Sequence, residues 1–310
     1  MKAIVCAEYG PPEVLSLEQV QKPVPKDKEV LIKVRATTAH IGDTKIRACR
    51  PGMGALDFIV KPIMWLTVGF RGPRRKILGM ELSGEIEAVG AGVTLFKKGD
   101  QVFASTEMRF GGYAEYVCLP EDGSLLLKPA NMTHEEAATV PNGATTALHI
   151  LKKADIQKGR KVLIYGASGS VGTFAVQLAK NFGAEVTGVC SAANLELVRS
   201  LGADKVIDYT AADFASNGEA YDVIFDAVGK LASSRVKGSL AQGGKYFNVL
   251  TDSGTSMKLN LTDLLYIKEL IEAGKLRTVI DRQYPLEEIV EAHRYVEKGH
   301  KKGNVVVNVA

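Results

Sequence analysis

Apolar residues are spaced in three different ways along this chain. Over residues 1–128 they fall in short runs punctuated by glycine and proline, with little helical periodicity. Ala3–Glu8, Val30–Thr37, Gly84–Val89, Asp100–Ala104 and Ala114–Cys118 read as strands, which predicts a compact β domain. From about residue 129 the spacing changes. The runs Val162–Tyr165, Glu185–Cys190, Lys205–Tyr209, Asp222–Ala227 and Lys245–Leu250 alternate with amphipathic stretches, and this predicts an α/β fold with a parallel, doubly wound sheet. Thr262–Ala273 and Leu286–Lys298 carry helical periodicity, and a last β run, Asn304–Val309, is expected to return to the first domain. The predicted division is a β-rich domain of residues 1–128, completed by about 275–310, and a dinucleotide-binding domain of residues 129–274.

The dinucleotide expectation rests on Lys161–Lys180, KVLIYGASGSVGTFAVQLAK. A buried strand ends in Gly166-Ala167-Ser168-Gly169-Ser170-Val171-Gly172, and a helix with Val171, Phe174, Ala175 and Leu178 on one face follows. Strand, small-residue turn and helix present free backbone N–H groups to a pyrophosphate. Ala167 stands at the first glycine of G-x-G-x-x-G, while Gly169 and Gly172 keep the second and third. About twenty residues further on, where an NAD site carries an acid for the ribose, the chain reads Cys190-Ser191-Ala192-Ala193-Asn194. No carboxylate there would repel a 2′-phosphate, and Ser191 and Asn194 can donate to one, so NADP(H) is the expected cofactor. The alternative is that Ser191 and Asn194 only cap the next helix. Arg199 lies further along that helix.

Composition narrows the classes. The chain has 310 residues, 46% hydrophobic and 24% charged, with a net charge of +4, enough for two cored domains. The small, scattered positive excess, with local runs at Arg71–Lys76 and Lys298–Lys302, does not point to nucleic-acid binding as the main role. Four cysteines far apart, with no C-x-x-C, and no signal peptide pattern fit a reducing, cytoplasmic setting without a metal cluster. The apolar patch Phe58–Phe70 is broken by Lys61 and Pro62 and is too short to span a bilayer, so no membrane partner is expected.

Several stretches together resemble the medium-chain dehydrogenase/reductase superfamily, in the zinc-free quinone oxidoreductase branch typified by zeta-crystallin. They are GPPEVL (10–15), GDTKIR (42–47), GEIEAVGAGVTLFKKGDQVF (84–103), GGYAEY (111–116), GASGSVGTFAVQLAK (166–180), SLGADKVIDY (200–209), YDVIFDAVG (221–229) and YPLEEIVEAHRYVEKGHKKGNVVV (284–307). The resemblance implies a GroES-like catalytic domain, a Rossmann domain and an active site in the cleft between them. It also places zinc ligands of the metal-dependent relatives at His40, Met80 and Asn142. Only His40 is a good ligand; a thioether and a neutral amide do not suit Zn²⁺, and the neighbouring Glu81 adds one oxygen at most. Without a Lewis acid, alcohol oxidation loses its usual device, while hydride reduction of a quinone or an α,β-unsaturated carbonyl stays feasible.

By the same resemblance Thr146 lies beside the nicotinamide or caps a helix, and Tyr209 lies near the adenosine ribose or is a half-exposed strand end. Ala227, Val228 and Gly229 follow the fourth strand, and Val249 and Leu250 end the fifth, at the edge where ligands sit in open α/β sheets. His40 is the candidate catalytic residue, set to give a proton or hydrogen bond to the substrate oxygen, or else to satisfy a backbone group. Asp43 and Arg47, four apart, suggest an ion pair; His134, His149, His293 and His300 suggest structural roles, and Tyr113 a core position. Residues 51–76 form a long apolar connection with the one tryptophan, Trp65, and suggest a lid or binding wall, or else a subunit contact or a helix packed on the β domain.

The expected enzyme is therefore a zinc-independent, NADPH-dependent oxidoreductase. The alternatives are an NAD(P)-dependent alcohol dehydrogenase with unusual metal ligands, tested by metal analysis, and a non-catalytic NADP(H)-binding sensor or nucleic-acid-associated protein, tested by NADPH turnover beside RNA binding. Only Thr251–Leu261 separates the fifth strand from the next helix, leaving room for one short strand at Ser256–Asn260. A monomer, or a dimer through another surface such as the 51–76 loop, is expected.

Overall fold

The computed structural model describes residues 1–50, 57–253 and 259–309. The chain divides into two units: Met1–Asn142, Met257–Leu261 and Ile280–Ala310 form the first, Gly143–Ser256 and Thr262–Val279 the second.

The first unit opens with β1 (Lys2–Cys6), paired antiparallel with β2 (Leu15–Gln19). β3 (Glu29–Thr38) is the longest strand, and its run EVLIKVRATT is buried on seven of ten positions, as expected of a strand covered on both faces. Then come α1 (Ile41–Ala48), α2 (Asp57–Thr67), β4 (Glu81–Val89), β5 (Gln101–Ser105), β6 (Tyr116–Pro120), β7 (Leu125–Leu127) and α3 (His134–Ala138). The expected strand Ala114–Cys118 lies two residues later, because Gly111, Gly112 and Tyr113 bond back to Leu78 and Gly79 and only Ala114 bridges to Ala3. The unit extends to Asn142 rather than 128, because α3 sits on β3 and β4, with Ala138 buried against Ala36 and Val306.

α4 (Val140–Ala154) leads to β8 (Lys161–Tyr165), α5 (Ser170–Asn181), β9 (Glu185–Cys190), α6 (Leu195–Ser200), β10 (Lys205–Asp208), β11 (Tyr221–Asp226), α7 (Ser233–Ser239), β12 (Leu240–Asn248), α8 (Val249–Asp252) and α9 (Leu261–Glu272). The sheet of the second unit is parallel, in the order β10-β9-β8-β11-β12. That is the doubly wound arrangement, with its switch point between β8 and β11. β12 starts at Leu240 and stops at Asn248, so Val249 and Leu250 do not end the strand; they open the one-turn α8, whose cap is the Asn248 side chain accepting from the Leu250 N–H at 2.8 Å. Of the expected strand Ser256–Asn260, Leu259 and Asn260 are coil and the rest lies outside the described residues.

β13 (Ile280–Pro285), α10 (Ile289–Glu297) and β14 (Asn304–Asn308) return to the first unit. They complete a seven-stranded sheet in the order β13-β14-β3-β4-β5-β7, with β6 also on β3. β6 pairs with Glu29–Lys33 of β3 and β14 with Ala36–Thr38, so β14 extends the same edge of the central strand as β6.

Candidate active site

In the second unit the switch point is built from main chain. Gly166 and Ala167 both donate to the Val189 carbonyl, at 2.9 and 3.0 Å, which ties the turn after β8 to β9. The left-handed turn falls on Gly166, at φ +80°, one residue before the alanine that replaces the motif's first glycine. A side chain at Gly166 would also lie 2.3 Å from a Val228 methyl. At Gly172 a Cβ would lie 2.1 Å from the Gly166 carbonyl oxygen, so only glycine lets α5 start this close to β8. Gly169 is the N-cap of α5 and offers no side chain to its first turn. The N–H groups of Val171 and Gly172 have no acceptor within the helix, which is the donor set that a pyrophosphate takes. Ser170 Oγ and Phe174 lie against Gly143, so α4 meets α5 here; half-buried Thr146 lies inside α4 and is not a cap for a following helix.

The loop after β9 holds a small polar network. The Asn194 amide donates to Ser168 Oγ at 3.1 Å and to Ser191 Oγ at 3.2 Å, while its buried Oδ1 has no partner. Neither Ser191 nor Asn194 makes a side-chain cap, so the capping alternative does not hold, and the network leaves an acceptor and two hydroxyls at the expected ribose position. Burial pushes the Cys190 thiol up to about 11, so it is neutral. Arg199 is paired with Glu196 on its own helix. An acid that the sequence reading did not place here is Asp208, in register with Cys190 across β10 and β9. It accepts from the Thr210 N–H and hydroxyl, at 2.9 and 2.7 Å. Tyr209 beside it is exposed, its ring 6.3 Å from that of Tyr165.

Asp226 is a second residue that the sequence reading missed. Fully buried at the end of β11, its carboxylate accepts from the N–H groups of Val228 (3.0 Å), Gly229 (2.7 Å) and Leu231 (2.8 Å). It thereby shapes the Ala227–Gly229 loop, and the Leu250 side chain closes on Gly229. The signal was an acid closing the apolar run Val223–Phe225 at the end of the strand YDVIFD.

The first unit gathers side chains instead. His40 is the N-cap of α1: its Nδ1 accepts from the Gly42 N–H at 3.0 Å. That bond leaves the proton on Nε2. Burial, with the charges of Lys301 and Lys45 added, lowers His40 to about 4, so its imidazole is neutral at ordinary pH. Glu81 is buried, accepting from the Thr38 hydroxyl at 2.6 Å and the Asn142 N–H at 2.9 Å, and burial raises it to about 7. The ammonium of half-buried Lys301 donates to the Gly303 carbonyl and lies within the electrostatic influence of this carboxyl. Asp43 and Arg47 do not pair as their spacing suggested. Asp43 turns inward to accept from the Gly79 N–H at 3.1 Å, with burial raising it to about 7; Arg47 reaches Glu297 on α10. Tyr113 is core as expected, its hydroxyl 3.0 Å from His293 Nε2.

The three positions tested for zinc do not make a donor set. His40 Nδ1 is engaged by α1, and the Asn142 oxygen accepts from Ser105 Oγ at 3.1 Å while its amide turns to the Met80 carbonyl. Both Glu81 oxygens are bonded, and among the described residues no three His, Cys, Asp or Glu side chains group as metal ligands. Of 51–76, the part from Asp57 is α2 and a loop, with Met64 packed on the first unit's core; residues 51–56 lie outside the described residues.

Comparison with known proteins adds the family. Residues 26–130 match the alcohol dehydrogenase GroES-like domain, and 201–307 match a family described as zinc-binding dehydrogenase. A mitochondrial NAD(P)H oxidoreductase of Mus musculus is 34% identical, over 100% of this chain and 89% of its own length. A chloroplastic NADPH-dependent alkenal/one oxidoreductase of Arabidopsis thaliana is 33% identical, over 99% of this chain and 79% of its own. The solved quinone oxidoreductase from Coxiella burnetii superposes with a TM-score of 0.86 at 30% identity, over 100% of this chain and 99% of that one. The chain belongs to the medium-chain dehydrogenase/reductase superfamily, in its quinone oxidoreductase branch, and is an oxidoreductase served by a nicotinamide cofactor.

Proposed function

We propose that this protein is a zinc-independent, NADPH-dependent reductase of quinones or α,β-unsaturated carbonyls. The observation that carries the reading is His40, whose Nδ1 is held by its own helix and whose Nε2–H is left to point a neutral donor at a substrate oxygen. The alkenal/one and quinone activities named for relatives support electrophile reduction.

The turn Gly166–Gly172, with the first-turn N–H groups of α5, is assigned to the pyrophosphate, and the Ser168 and Ser191 hydroxyls to the adenosine ribose and its 2′-phosphate; Asn194, expected to donate to that phosphate, spends its amide on those two hydroxyls and positions them instead. Thr146, Tyr209, Ala227–Gly229, Val249 and Leu250 are assigned to the rest of the dinucleotide. When bound, NADPH supplies the hydride. As the electrophilic carbon takes it up, negative charge collects on the substrate oxygen, and the His40 Nε2–H stabilises it by a hydrogen bond. Because the imidazolium has lost its extra proton above about pH 4, His40 offers a hydrogen bond and not an acidic proton, and the proton completing the product comes from solvent. None of these steps calls on a metal, and of the candidate ligands the Glu81 carboxyl and the Asn142 oxygen are already hydrogen-bonded within the protein. Asp208 is the observation that favours the second reading, in which NAD(H) is used, because a carboxylate near the ribose loop disfavours a 2′-phosphate.

The test is oxidation of NADPH and of NADH, measured with a panel of quinones and enones before and after chelation. Faster turnover with NADPH that survives chelation is expected. Equal or better use of NADH overturns the cofactor assignment, and stoichiometric zinc in active protein overturns the metal-free reading.

A further inference from the structure

α2 departs from the usual surface helix, which turns its one apolar stripe inward and shows water a polar face. Met64 packs on the core of the first unit, with half-buried Val60 one turn away on the same side. The opposite side is also apolar and faces water: Phe58 is 75% exposed, Ile63 55% and Leu66 73%, with exposed Pro62 between them. Just past the helix, Phe70 is 69% exposed and meets Trp65 edge to face at 5.2 Å. Trp65 is half-buried at the border of this face, with the Lys61 ammonium 5.5 Å from its ring.

The chain then folds back and is held. The Arg74 N–H donates to the Val68 carbonyl at 2.7 Å, Tyr9 donates to Gly69 at 2.7 Å, and the Cys6 N–H donates to Lys76 at 2.7 Å. A Cβ at Gly72 would lie 2.4 Å from the Ala7 carbonyl oxygen, so the loop lies flush against the end of β1. This anchored loop displays Arg71, Arg74, Arg75 and Lys76, all exposed. The last three join Lys26 and Arg109 around an open pocket of about 550 Å³ with an apolar wall and a single acid, Glu29. None of these six cations forms a side-chain ion pair or hydrogen bond among the described residues.

We propose that this face binds the surface of an anionic lipid bilayer, with α2 lying in the plane of the interface. Phe58, Ile63, Leu66 and Phe70 enter the acyl boundary, Trp65 and Lys61 mark the headgroup level, and Arg71, Arg74, Arg75 and Lys76 engage lipid phosphates. A bilayer is the partner that asks for both halves at once: solvent-facing apolar side chains on a helix, and unpaired cations beside them. A nucleic acid would use the cations and leave Leu66 and Ile63 without a purpose. No described helix is long and apolar enough to cross a membrane. The expectation of no membrane partner rested on a segment too short to span, and this proposal departs from it, because lying in the interface makes no such demand on length.

The full chain is mixed with vesicles of phosphatidylcholine and with vesicles carrying one quarter phosphatidylglycerol. Sedimentation and the emission of Trp65, the one tryptophan in the sequence, are then read. Binding to the anionic vesicles with a blue shift of Trp65 is expected. At roughly fivefold per cation near the surface, the triple variant Arg74→Gln/Arg75→Gln/Lys76→Gln weakens that binding on the order of a hundredfold. A second variant, Leu66→Ser/Phe70→Ser, keeps the cations but loses the blue shift. No binding, equal binding to the uncharged vesicles, or bound protein with unshifted Trp65 overturns the proposal. Binding of an RNA oligonucleotide at physiological salt with the same cation dependence also overturns it, in favour of a nucleic-acid surface.

Discussion

The two units build their polar sites from different material. In the second, the polar surface at the switch point is main chain: the Gly166–Gly172 turn, the open first turn of α5 and the Ala227–Gly229 loop folded around Asp226. In the first, it is side chains, with Thr38 from β3, His40 and Asp43 from around α1, Glu81 from β4 and Lys301 from before β14 brought into one buried cluster. A main-chain site depends on backbone shape, so it fails when a side chain intrudes. A side-chain site depends on protonation and donor direction, so it fails when a single atom is exchanged.

The strongest test of the first half of this contrast is Gly172→Val. With a Cβ placed 2.1 Å from the Gly166 carbonyl, α5 must withdraw from β8. Nucleotide binding, followed by fluorescence titration, is expected to be lost, together with about 1–3 kcal/mol of stability. A variant that still binds NADPH at parental affinity would show that the turn is not the phosphate site. His40→Ser tests the other half. Serine keeps a cap for α1 but lacks the ring donor, so kcat is expected to fall about a hundredfold with little change in melting temperature. The parent's rate should show no inflection attributable to His40 above about pH 5, given its position near 4.

Ser191→Asp puts a second acid near Asp208 at the ribose loop. The ratio of kcat/KM for NADPH over NADH is expected to fall roughly tenfold through like-charge repulsion. An unchanged ratio removes Ser191 from the cofactor site. The smallest effect is a pH dependence. Burial raises Asp43 from its ordinary 3.8 to about 7, so between those values the folded chain keeps a proton that the unfolded chain has released. The stability this confers is present at low pH and is lost as pH rises through 7. Asp43→Asn keeps an oxygen for the Gly79 N–H and does not titrate, so its melting temperature relative to the parent should climb from about pH 4 to about pH 7 and level off above that. A pH-independent difference would show that Asp43 does not titrate as a buried acid.

The same contrast explains what was legible in the sequence. Strand, glycine turn and helix are contiguous between Lys161 and Lys180, and backbone needs write themselves locally as glycine, so this strand, turn and helix could be read directly. β8 and β11 could be read because each carries an apolar run, VLIY and VIF, whereas β12, LAQGGKYFN, has no such run over its first half and was expected five residues late. The short β2, with only Leu15 buried, and the polar α1 carried too little periodicity to announce themselves. Arg47 was assigned the nearest acid along its helix, whereas its partner Glu297 is 250 residues away. Asp226 and Asp208 were passed over because an acid at a strand end looks like the start of a solvent loop, and only the fold shows which N–H groups converge on it.

β14 extends the same edge of the central strand β3 as β6 and is drawn from residues 304–308, beyond every strand of the second unit. During synthesis, then, the second unit has all five of its strands available once β12 has emerged, while the first must wait with an open edge on β3 until Asn304–Asn308 appear. The unit made first finishes folding last, across the longest strand-to-strand separation among the described residues, and loop closure over that distance is slow. Until then Ala36–Thr38 present unpaired backbone, which makes the interval before β14 docks the time when this chain is most exposed to strand-to-strand aggregation.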